Sequence, residues 1–281
     1  ALFLFTFVLP LGYAVYQSML KPVRSGSLGL GPATVGFAGL DNYSLVLQQS
    51  AFLESFARVL LFGIVQIPVM LLLATALAMA LDTLSQRWAG ILRAAYFLPY
   101  GVPGVIASIL WGFLYVPGVS PIVDLLDRAG LAPDFLGYDT VLWSIANIVI
   151  WEFAGYNMLV IVAQLKAIPQ DLYEAARIDG ASDLKIALRI KIPIVMPSLV
   201  LTFFFSVIAT LQVFTEPMAL KPLTNGLSTT WSPLMAIYDS AFLKSDIYGA
   251  SATAVVLALA TYLISFTLLR VSDRYTREDR A

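Results

Sequence analysis

The sequence predicts an all-α, polytopic membrane protein with six transmembrane helices, and its composition is the first reason. Of its 281 residues, 59% are hydrophobic and only 12% are charged, whereas a soluble globular domain carries about 25% charged residues. The mean hydropathy is +0.82. Because so few charges cannot form the polar shell of a soluble protein, the chain is expected to lie in a membrane.

The spacing of the charged residues is the second reason. Five stretches of at least 20 residues contain no Asp, Glu, Lys or Arg, and a sixth contains Glu152 alone. About 20 apolar residues wound as an α-helix match the hydrocarbon thickness of a bilayer. Within one transmembrane domain, residues 1–281, the predicted spans lie at about 1–20, 57–82, 92–117, 140–165, 194–217 and 248–270.

The basic residues are divided unevenly between the two sides of the predicted bundle. Eleven of the seventeen Lys and Arg residues lie in or beside the loops 83–91 and 166–193 or in the C-terminal tail. Cytoplasmic loops of membrane proteins carry the excess of Lys and Arg. Both termini and the loop 166–193 are therefore predicted to face the cytoplasm.

Two of the commonest catalytic residue types are absent from the sequence. It contains no Cys and no His, which excludes disulfides, thiolate zinc sites and imidazole chemistry. The net charge of −1 gives no basic surface for nucleic acid. We therefore predict no catalytic residue, no metal site and no nucleic-acid partner.

The loop 166–193 is charged and rich in alanine, although it lies between two apolar spans. Pro169 suits the first turn of a helix over 170–179, because its missing N–H needs no partner there. Asp171 and Glu174 lie near the N-terminal end, where the helix dipole favours acidic side chains. The loop is therefore predicted to begin with a short helix outside the bilayer.

A second short helix is predicted after a sharp turn. Gly180 can end the first helix in the left-handed conformation, and Ser182 or Asp183 can cap a second helix. Pro193 then lies at the entry to the next span. Both helices are expected to lie parallel to the membrane surface.

The surface of this loop has two interpretations. A short amphipathic helix can lie on lipid. Alternatively, Ala175 and Ala176 expose a flat patch of small residues beside the carboxylate of Glu174, which suits docking into a protein groove. The shortness of the helix favours the second interpretation.

The loop closely resembles the signature loop of bacterial ABC importer permeases over residues 165–197, which read LKAIPQDLYEAARIDGASDLKIALRIKIPIVMP. That pattern is Glu-Ala-Ala, three residues, Gly, nine residues, Ile, one residue and Pro. Glu174, Gly180 and Ile190 occupy its positions, while Pro193 comes one residue late. The fuller form of the pattern adds matches at Ile168, Pro169, Asp179 and Ala181.

The resemblance extends over nearly the whole chain. The stretches that resemble the carbohydrate-uptake branch, the maltose and glycerol-3-phosphate type, are GLDNYSLVL (39–47), LRAAYFLPYGVPGVIASILWGFLY (92–115), WEFAGYNMLVIVAQLKAIP (151–169) and STTWSPLMAIYDSAF (228–242). That branch often has a Thr-x-Gly-Gly-Pro turn after the fifth span, where this chain has LTNGLSTTW at 223–231. An outer loop of different shape is therefore expected there.

The resemblance implies a type I ABC importer permease fold and a set of partners. Such a permease is half of a transmembrane dimer, here expected to be a heterodimer with a second six-helix subunit in the bacterial cytoplasmic membrane. Two cytoplasmic ATP-binding subunits would bind ATP and Mg²⁺, since this chain has no Gly-x-x-x-x-Gly-Lys-Ser/Thr loop. An extracytoplasmic solute-binding protein would deliver the solute, and this chain itself is expected to hold no cofactor.

The resemblance also implies roles within the loop. It would form a coupling helix seated in a cleft of the ATPase, with Glu174 as the ionic contact and Gly180 as the hinge between the two short helices. The residues that the resemblance assigns to coupling are Glu174, Ala175, Ala176, Asp179, Gly180 and Ala181.

Polar residues within the predicted spans are the candidates for the solute path, because ionisable groups in a membrane are costly and usually functional. Glu152 lies about halfway along its span, with Tyr156 and Asn157 four and five positions later. Gln212 and Glu216 are four residues apart and are expected to share one helix face. The alternative is that these groups only join helices to one another or across the dimer seam.

The predicted function is that of a permease subunit of an ATP-driven importer for a sugar, preferably a neutral di- or oligosaccharide. The span interiors carry no basic residue that would suit a phosphate ester. Glycerol-3-phosphate or a polyol is the alternative within the family. From another class, an ion-coupled secondary transporter with Glu152 as its ion site predicts inverted repeats, and the sequence shows no convincing repeat.

Overall fold

The computed structural model describes residues 2–24, 33–131 and 133–278, most of which are helical. The α-helices are α1 (Leu9–Ser18), α2 (Asp41–Gln48), α3 (Ser50–Asp82), α4 (Gln86–Phe97), α5 (Gly104–Tyr115), α6 (Pro121–Arg128), α7 (Val141–Leu165), α8 (Gln170–Ile178), α9 (Asp183–Ile186), α10 (Ile192–Leu211), α11 (Thr215–Leu220), α12 (Pro233–Tyr238) and α13 (Ile247–Glu278). Two compact units are present. The first contains α1, α2, the start of α3, α12 and α13 as far as Val271, and the second contains the rest of α3 and almost all of α4 to α11.

Four of the described helices are long and apolar enough to cross a membrane. They are Ser50–Asp82, Val141–Leu165, Asp183–Leu211 and Ile247–Arg270, and they coincide with four of the six predicted spans. The helix at the predicted first span is shorter, with a π-helical turn before α1. The mostly helical membrane class is therefore confirmed, but the described residues do not provide six long helices.

The predicted span 92–117 is bent rather than straight. Its two helical segments, Gln86–Gly101 and Gly104–Tyr115, meet at 96°. Pro103 explains the break, because a proline disfavours helical backbone in the residue before it, and Val102 is extended with ψ at 127°. If this pair is counted as one bent span, the described residues contain five candidate membrane spans.

The first unit contains a hairpin that the all-α prediction does not include. Strands β1 (Leu20–Arg24) and β2 (Ala33–Phe37) pair antiparallel, with Leu20 opposite Phe37. Each strand has only five residues, so each becomes regular through pairing with the other rather than through its own sequence pattern.

Three long-range hydrogen bonds, made by two side chains, connect elements of the first unit. Asn42, buried at the start of α2, donates from Nδ2 to the carbonyls of Ser18 and Leu20 at 2.8 and 2.7 Å. Arg58 on α3 donates from Nη1 to the carbonyl of Trp231 at 2.8 Å. These bonds satisfy backbone carbonyls at the end of α1, at the start of β1 and in the segment before α12, which would otherwise need another partner.

The second unit has its core at the end of α3 and α7 that adjoins the loop 166–193. Small residues Ala74 and Ala78 on α3 are fully buried there, which lets α3 and α7 approach closely. The buried members of the core are Ala74, Ala78, Leu81, Met158, Ile161, Val162, Leu165, Ile168, Tyr173, Ile186 and Val195. The loop is therefore packed on the body of this unit.

The second helix of the loop does not end at Pro193. Asp183–Leu211 is one continuous helix of 29 residues, which includes a π-helical turn at Ala187–Lys191. In that turn the N–H of Ile192 donates to the carbonyl of Ala187, directly before a proline that cannot donate. The expected pair of separate surface helices is therefore wrong for the second one, which forms the first turns of a long apolar helix.

Candidate coupling loop and polar membrane site

The first loop helix, α8, ends in a Schellman motif built around Gly180. Gly180 has φ at +74°, which confirms the predicted left-handed end. Its N–H donates to the carbonyl of Arg177 at 3.0 Å, and the N–H of Ala181 donates to the carbonyl of Ala176 at 2.9 Å. This pair of bonds satisfies carbonyls that a helix end leaves free. Pro169 lies one position earlier than expected, as the residue that precedes the first turn.

The next helical turn begins with the predicted cap. The hydroxyl of Ser182 accepts a hydrogen bond from the N–H of Lys185 at 3.3 Å, as an N-cap serine does. Ser182 rather than Asp183 is therefore the cap. Asp183 instead faces Arg177 across the turn at 3.6 Å, with both side chains largely exposed.

One face of α8 is packed inward. Tyr173 is buried in the core of the second unit, and Ala176 and Ala181 are partly buried against the same core. The expected patch of two exposed alanines is therefore wrong in part, because Ala176 faces this subunit's own core while Ala175 is exposed. Inward packing at positions 173 and 176 follows from the three- to four-residue period of a helix face.

The other face of α8 is exposed and combines an acidic with an apolar group. Glu174 and Ala175 are exposed, and so is Asp179 at the helix end. Ile178, four positions after Glu174, is 86% exposed. A carboxylate beside a large exposed aliphatic side chain is a surface that a second protein can cover.

Three residues, which we call the Lys191 clasp, join this loop to the end of α3. They are Asp82, Tyr173 and Lys191. The Nζ of Lys191 donates to Oδ2 of Asp82 at 2.5 Å and lies 5.1 Å from the centroid of the Tyr173 ring. Burial, followed by the carboxylate of Asp82, raises the pKa of the Tyr173 hydroxyl above its usual value. Sequence reasoning missed this contact, because its members lie on three different elements.

Two carboxyl groups inside the second unit lie close to the same glycine, Gly104. Glu152 on α7 is 7% exposed and Glu216 on α11 is 9% exposed. A Cβ placed on Gly104 would lie 3.5 Å from Oε1 of Glu152 and 3.6 Å from Oε1 of Glu216. Oε2 of Glu152 is buried and has no hydrogen-bond partner among the described residues. We call Gly104, Glu152 and Glu216 the carboxylate site.

An aromatic stack extends this site along α7. The ring of Tyr156, one turn after Glu152, stacks on Tyr100 with centroids 4.9 Å apart and an angle of 19°. Tyr100 also meets the ring of Phe153 edge-on at 5.8 Å. Tyr100 is the member that sequence reasoning missed, because it lies at the break between α4 and α5 rather than on a helix face.

The other two predicted path residues are arranged differently from expectation. Asn157 is buried and donates from Nδ2 to the carbonyl of Phe153 at 3.1 Å and to Sδ of Met70 at 3.5 Å, a contact between α7 and α3. Gln212 is exposed and follows the end of α10, while Glu216 lies on the separate helix α11. The predicted shared helix face of Gln212 and Glu216 is therefore wrong.

A cavity of about 440 Å³ lies on another face of α7. Its lining includes Trp111, Tyr115, Trp143 and Asn147. Asn147 donates to the hydroxyl of Tyr115 at 2.8 Å, and that hydroxyl donates to the carbonyl of Ser144 at 3.2 Å. At about 100° per residue, positions 143 and 147 lie about 140–180° around the helix from Glu152, so this cavity is separate from the carboxylate site.

Comparison with known proteins identifies the family. Residues 70–278 match the family described as "Binding-protein-dependent transport system inner membrane component". A diacetylchitobiose uptake system permease protein of Streptomyces coelicolor is 27% identical, over 98% of this chain and 80% of that protein. An sn-glycerol-3-phosphate transport system permease protein of Agrobacterium fabrum is 30% identical, over 94% of this chain and 90% of its own length.

Two further relatives support the same assignment. A trehalose transport system permease protein of Mycobacterium tuberculosis is 28% identical over 93% of this chain and 82% of that protein. The crystal structure of a bacterial ABC transporter involved in the import of the acidic polysaccharide alginate contains a similar chain. It superposes with a TM-score of 0.81 at 20% identity over 97% of this chain and 91% of that one.

These similarities confirm the predicted resemblance to ABC importer permeases of the carbohydrate-uptake branch, and the last confirms the fold. The match begins on α3 and includes both the loop 166–193 and the carboxylate site. The chain therefore belongs to the family of inner membrane components of binding-protein-dependent transport systems.

Proposed function

We propose that this chain is the permease subunit of an ATP-driven importer and that α8 couples it to a cytoplasmic ATPase. The two-faced packing of α8 is the observation that carries the proposal. Tyr173 and Ala176 fix one face to the subunit's own core, while Glu174 and Ile178 extend from the other. A helix packed in this way can transmit a push from a protein bound to its outer face.

The proposed assembly contains this chain, a second six-helix permease subunit, two ATP-binding subunits that hold ATP and Mg²⁺, and an extracytoplasmic solute-binding protein. The family description names binding-protein dependence. The alginate transporter is also known in complex with an alginate pentasaccharide-bound periplasmic protein. In this proposal the helix that includes α1 and the bent pair α4–α5 each count as a span, which gives six spans with both termini in the cytoplasm.

The proposed solute is a neutral sugar. The carboxylate site is acidic, and neither Glu152 nor Glu216 forms an ion pair with a described residue. Carboxylates accept hydrogen bonds from hydroxyl groups, and the Tyr100–Tyr156 stack offers an aromatic surface beside them. Relatives that carry trehalose or diacetylchitobiose fit this chemistry better than the glycerol-3-phosphate relative, because the interiors of the predicted spans contain no basic residue that would bind a phosphate ester.

One observation favours a second candidate function. The Oε2 of Glu152, which has no hydrogen-bond partner among the described residues, is a group that can bind a proton or cation in an ion-coupled transporter. The two candidates differ in the energy source that uptake requires.

The test uses the complex purified through a tag on this chain and reconstituted into proteoliposomes with its binding protein. We expect sugar uptake that requires ATP inside the vesicles and survives collapse of ion gradients by ionophores. Glu174→Ala should lower uptake per ATP, whereas Asp127→Ala, which removes an exposed acid on α6, should not. Uptake that persists without ATP and stops with ionophores would establish the ion-coupled candidate instead.

A further inference from the structure

The Lys191 clasp joins three segments that are distant in sequence. Asp82 is the last residue of α3, Tyr173 lies on α8, and Lys191 lies in the π-helical turn before α10. The 2.5 Å contact between Nζ of Lys191 and Oδ2 of Asp82 closes the space between the end of α3 and the start of α10. The Tyr173 ring lies against the same ammonium group at 5.1 Å.

The ring of Tyr173, rather than its hydroxyl, makes these contacts. The residue is 7% exposed, and its buried hydroxyl has no hydrogen-bond partner among the described residues. A cation near the face of an aromatic ring is attracted to it. The ammonium of Lys191 is therefore held by a carboxylate and by a ring that belongs to α8.

The burial of this ion pair separates it from the exposed pair in the same loop. The side chains of Lys191 and Asp82 are 13% and 21% exposed, whereas those of Arg177 and Asp183 are 66% and 86% exposed at 3.6 Å. Water and salt screen a partly buried pair less than an exposed one. Removing one partner leaves the other charge poorly solvated, so the pair resists separation.

The Lys191 clasp also connects α8 to α3, which the backbone does not do directly. Along the backbone, α8 continues from α7 and leads to α10 through the turn at Gly180, but it has no direct link to α3. We propose that Asp82 and Lys191 are positioning residues for coupling: they hold α8 through Tyr173 against the ends of α3 and α10, so that movement of α8 moves both helices. This inference rests on the proposed coupling role of α8.

The decisive variant is Lys191→Met, which removes the charge and keeps an apolar side chain. In the reconstituted complex we expect the ATP hydrolysed per sugar imported to rise about fivefold or more, the lower end of ordinary coupling between distant sites. ATP hydrolysis and the amount of ATPase that copurifies should stay near wild type. The matched control is Lys185→Met, because Lys185 is an exposed lysine of the same loop. In this variant the ratio of ATP hydrolysed to sugar imported should not change.

Further variants distinguish positioning from folding. The charge swap of Asp82→Lys with Lys191→Asp should restore the ratio. Tyr173→Phe should keep the wild-type ratio, since the hydroxyl has no partner in the described part of the chain, while Tyr173→Leu should raise it. An assembled Lys191→Met complex with the wild-type ratio would overturn the proposal, as would a swap variant that assembles with the ratio still raised.

Two remaining outcomes are also informative. Loss of assembly in both Lys191→Met and the swap variant would overturn the proposal, because the ion pair would then serve folding alone. ATP-independent uptake by the wild-type complex would instead refute the proposed function. ATP-driven wild-type uptake together with an unchanged Lys191→Met ratio would refute only the clasp.

Discussion

The loop 166–193 and the carboxylate site differ in how their helix ends and buried charged groups are paired. At the loop, the Schellman motif at Gly180 closes the carbonyls that end α8, and Ser182 caps the next turn. At the carboxylate site, Glu152 and Glu216 are buried, and Oε2 of Glu152 has no described partner. The buried hydroxyl of Tyr173 is the exception in the loop, with no partner among the described residues. Because buried acidic groups are nearly always paired, the carboxylate site is the region that a bound group would complete.

The largest expected effect tests whether the carboxylate site depends on close packing beside it. Gly155 on α7 lies where a Cβ would overlap the carbonyl oxygen of Tyr96 on α4. Gly155→Ala must therefore push α4 away from the Tyr156 turn, and we expect it to destabilise the second unit by about 3 kcal/mol or more. Thermal unfolding of the purified complex in detergent measures this change.

Gly90→Ala is the control for that substitution. A Cβ on Gly90, within α4, would meet no atom within 4 Å. Alanine should therefore leave stability unchanged or raise it by up to about 1 kcal/mol, through the higher helix propensity of alanine. Equal unfolding temperatures for the two variants would show that α4 and α7 are not as close as described.

The second-largest expected effect is at Gly180 in the loop 166–193. Gly180→Ala finds open space but must keep φ near +74°, which costs an L-residue about 1–2 kcal/mol. We expect α8 to lose its fixed end, so that uptake per ATP falls while the remainder of the subunit stays folded.

Gly180→Asn is the matched variant for the turn. Asparagine adopts the left-handed conformation more readily than alanine, so it should retain more coupling when uptake per ATP is measured in proteoliposomes. The same loss of coupling with asparagine as with alanine would mean that the conformation at this position is not the reason for the glycine.

The smallest expected effect on structure is at Gly104 in the carboxylate site. A Cβ on Gly104 would contact Thr215, Glu152 and Glu216 at 3.4, 3.5 and 3.6 Å, which are ordinary van der Waals distances. Gly104→Ala should therefore fold normally while narrowing the space between the two carboxylates. We expect sugar uptake to slow several-fold, with the unfolding temperature unchanged. Unchanged uptake would place the solute path elsewhere.

The loop 166–193 and the carboxylate site also differ in how well the sequence predicts them. The loop helix, the left-handed Gly180 and the serine cap depend on neighbouring residues, so local rules predicted them. The carboxylate site brings together Gly104, Glu152 and Glu216 from three helices. The sequence indicates Glu152 as an acid in the middle of a span and Glu216 as an acid near the end of another, but it does not show that both face a glycine at a helix break.

The errors have a common physical origin. The motif predicts an exposed Ala176, because a motif does not show which side of a short helix meets the core. The four-residue spacing predicts one helix face for Gln212 and Glu216, because an apolar stretch does not show where a helix ends. The hairpin and the Lys191 clasp depend on pairing between segments that no local pattern relates.

The most direct measurement of the central claim, that the outer face of α8 docks on an ATPase, uses the absence of cysteine from this chain. Single cysteines are placed at Ile178 on the outer face and at Ala176 on the inner face, and a short cysteine-to-lysine cross-linker is added to the assembled complex. We predict strong cross-linking of Ile178→Cys to the ATP-binding subunit and little from Ala176→Cys. Equal cross-linking from both positions, or none from Ile178→Cys in a complex that hydrolyses ATP and imports sugar, would contradict the account.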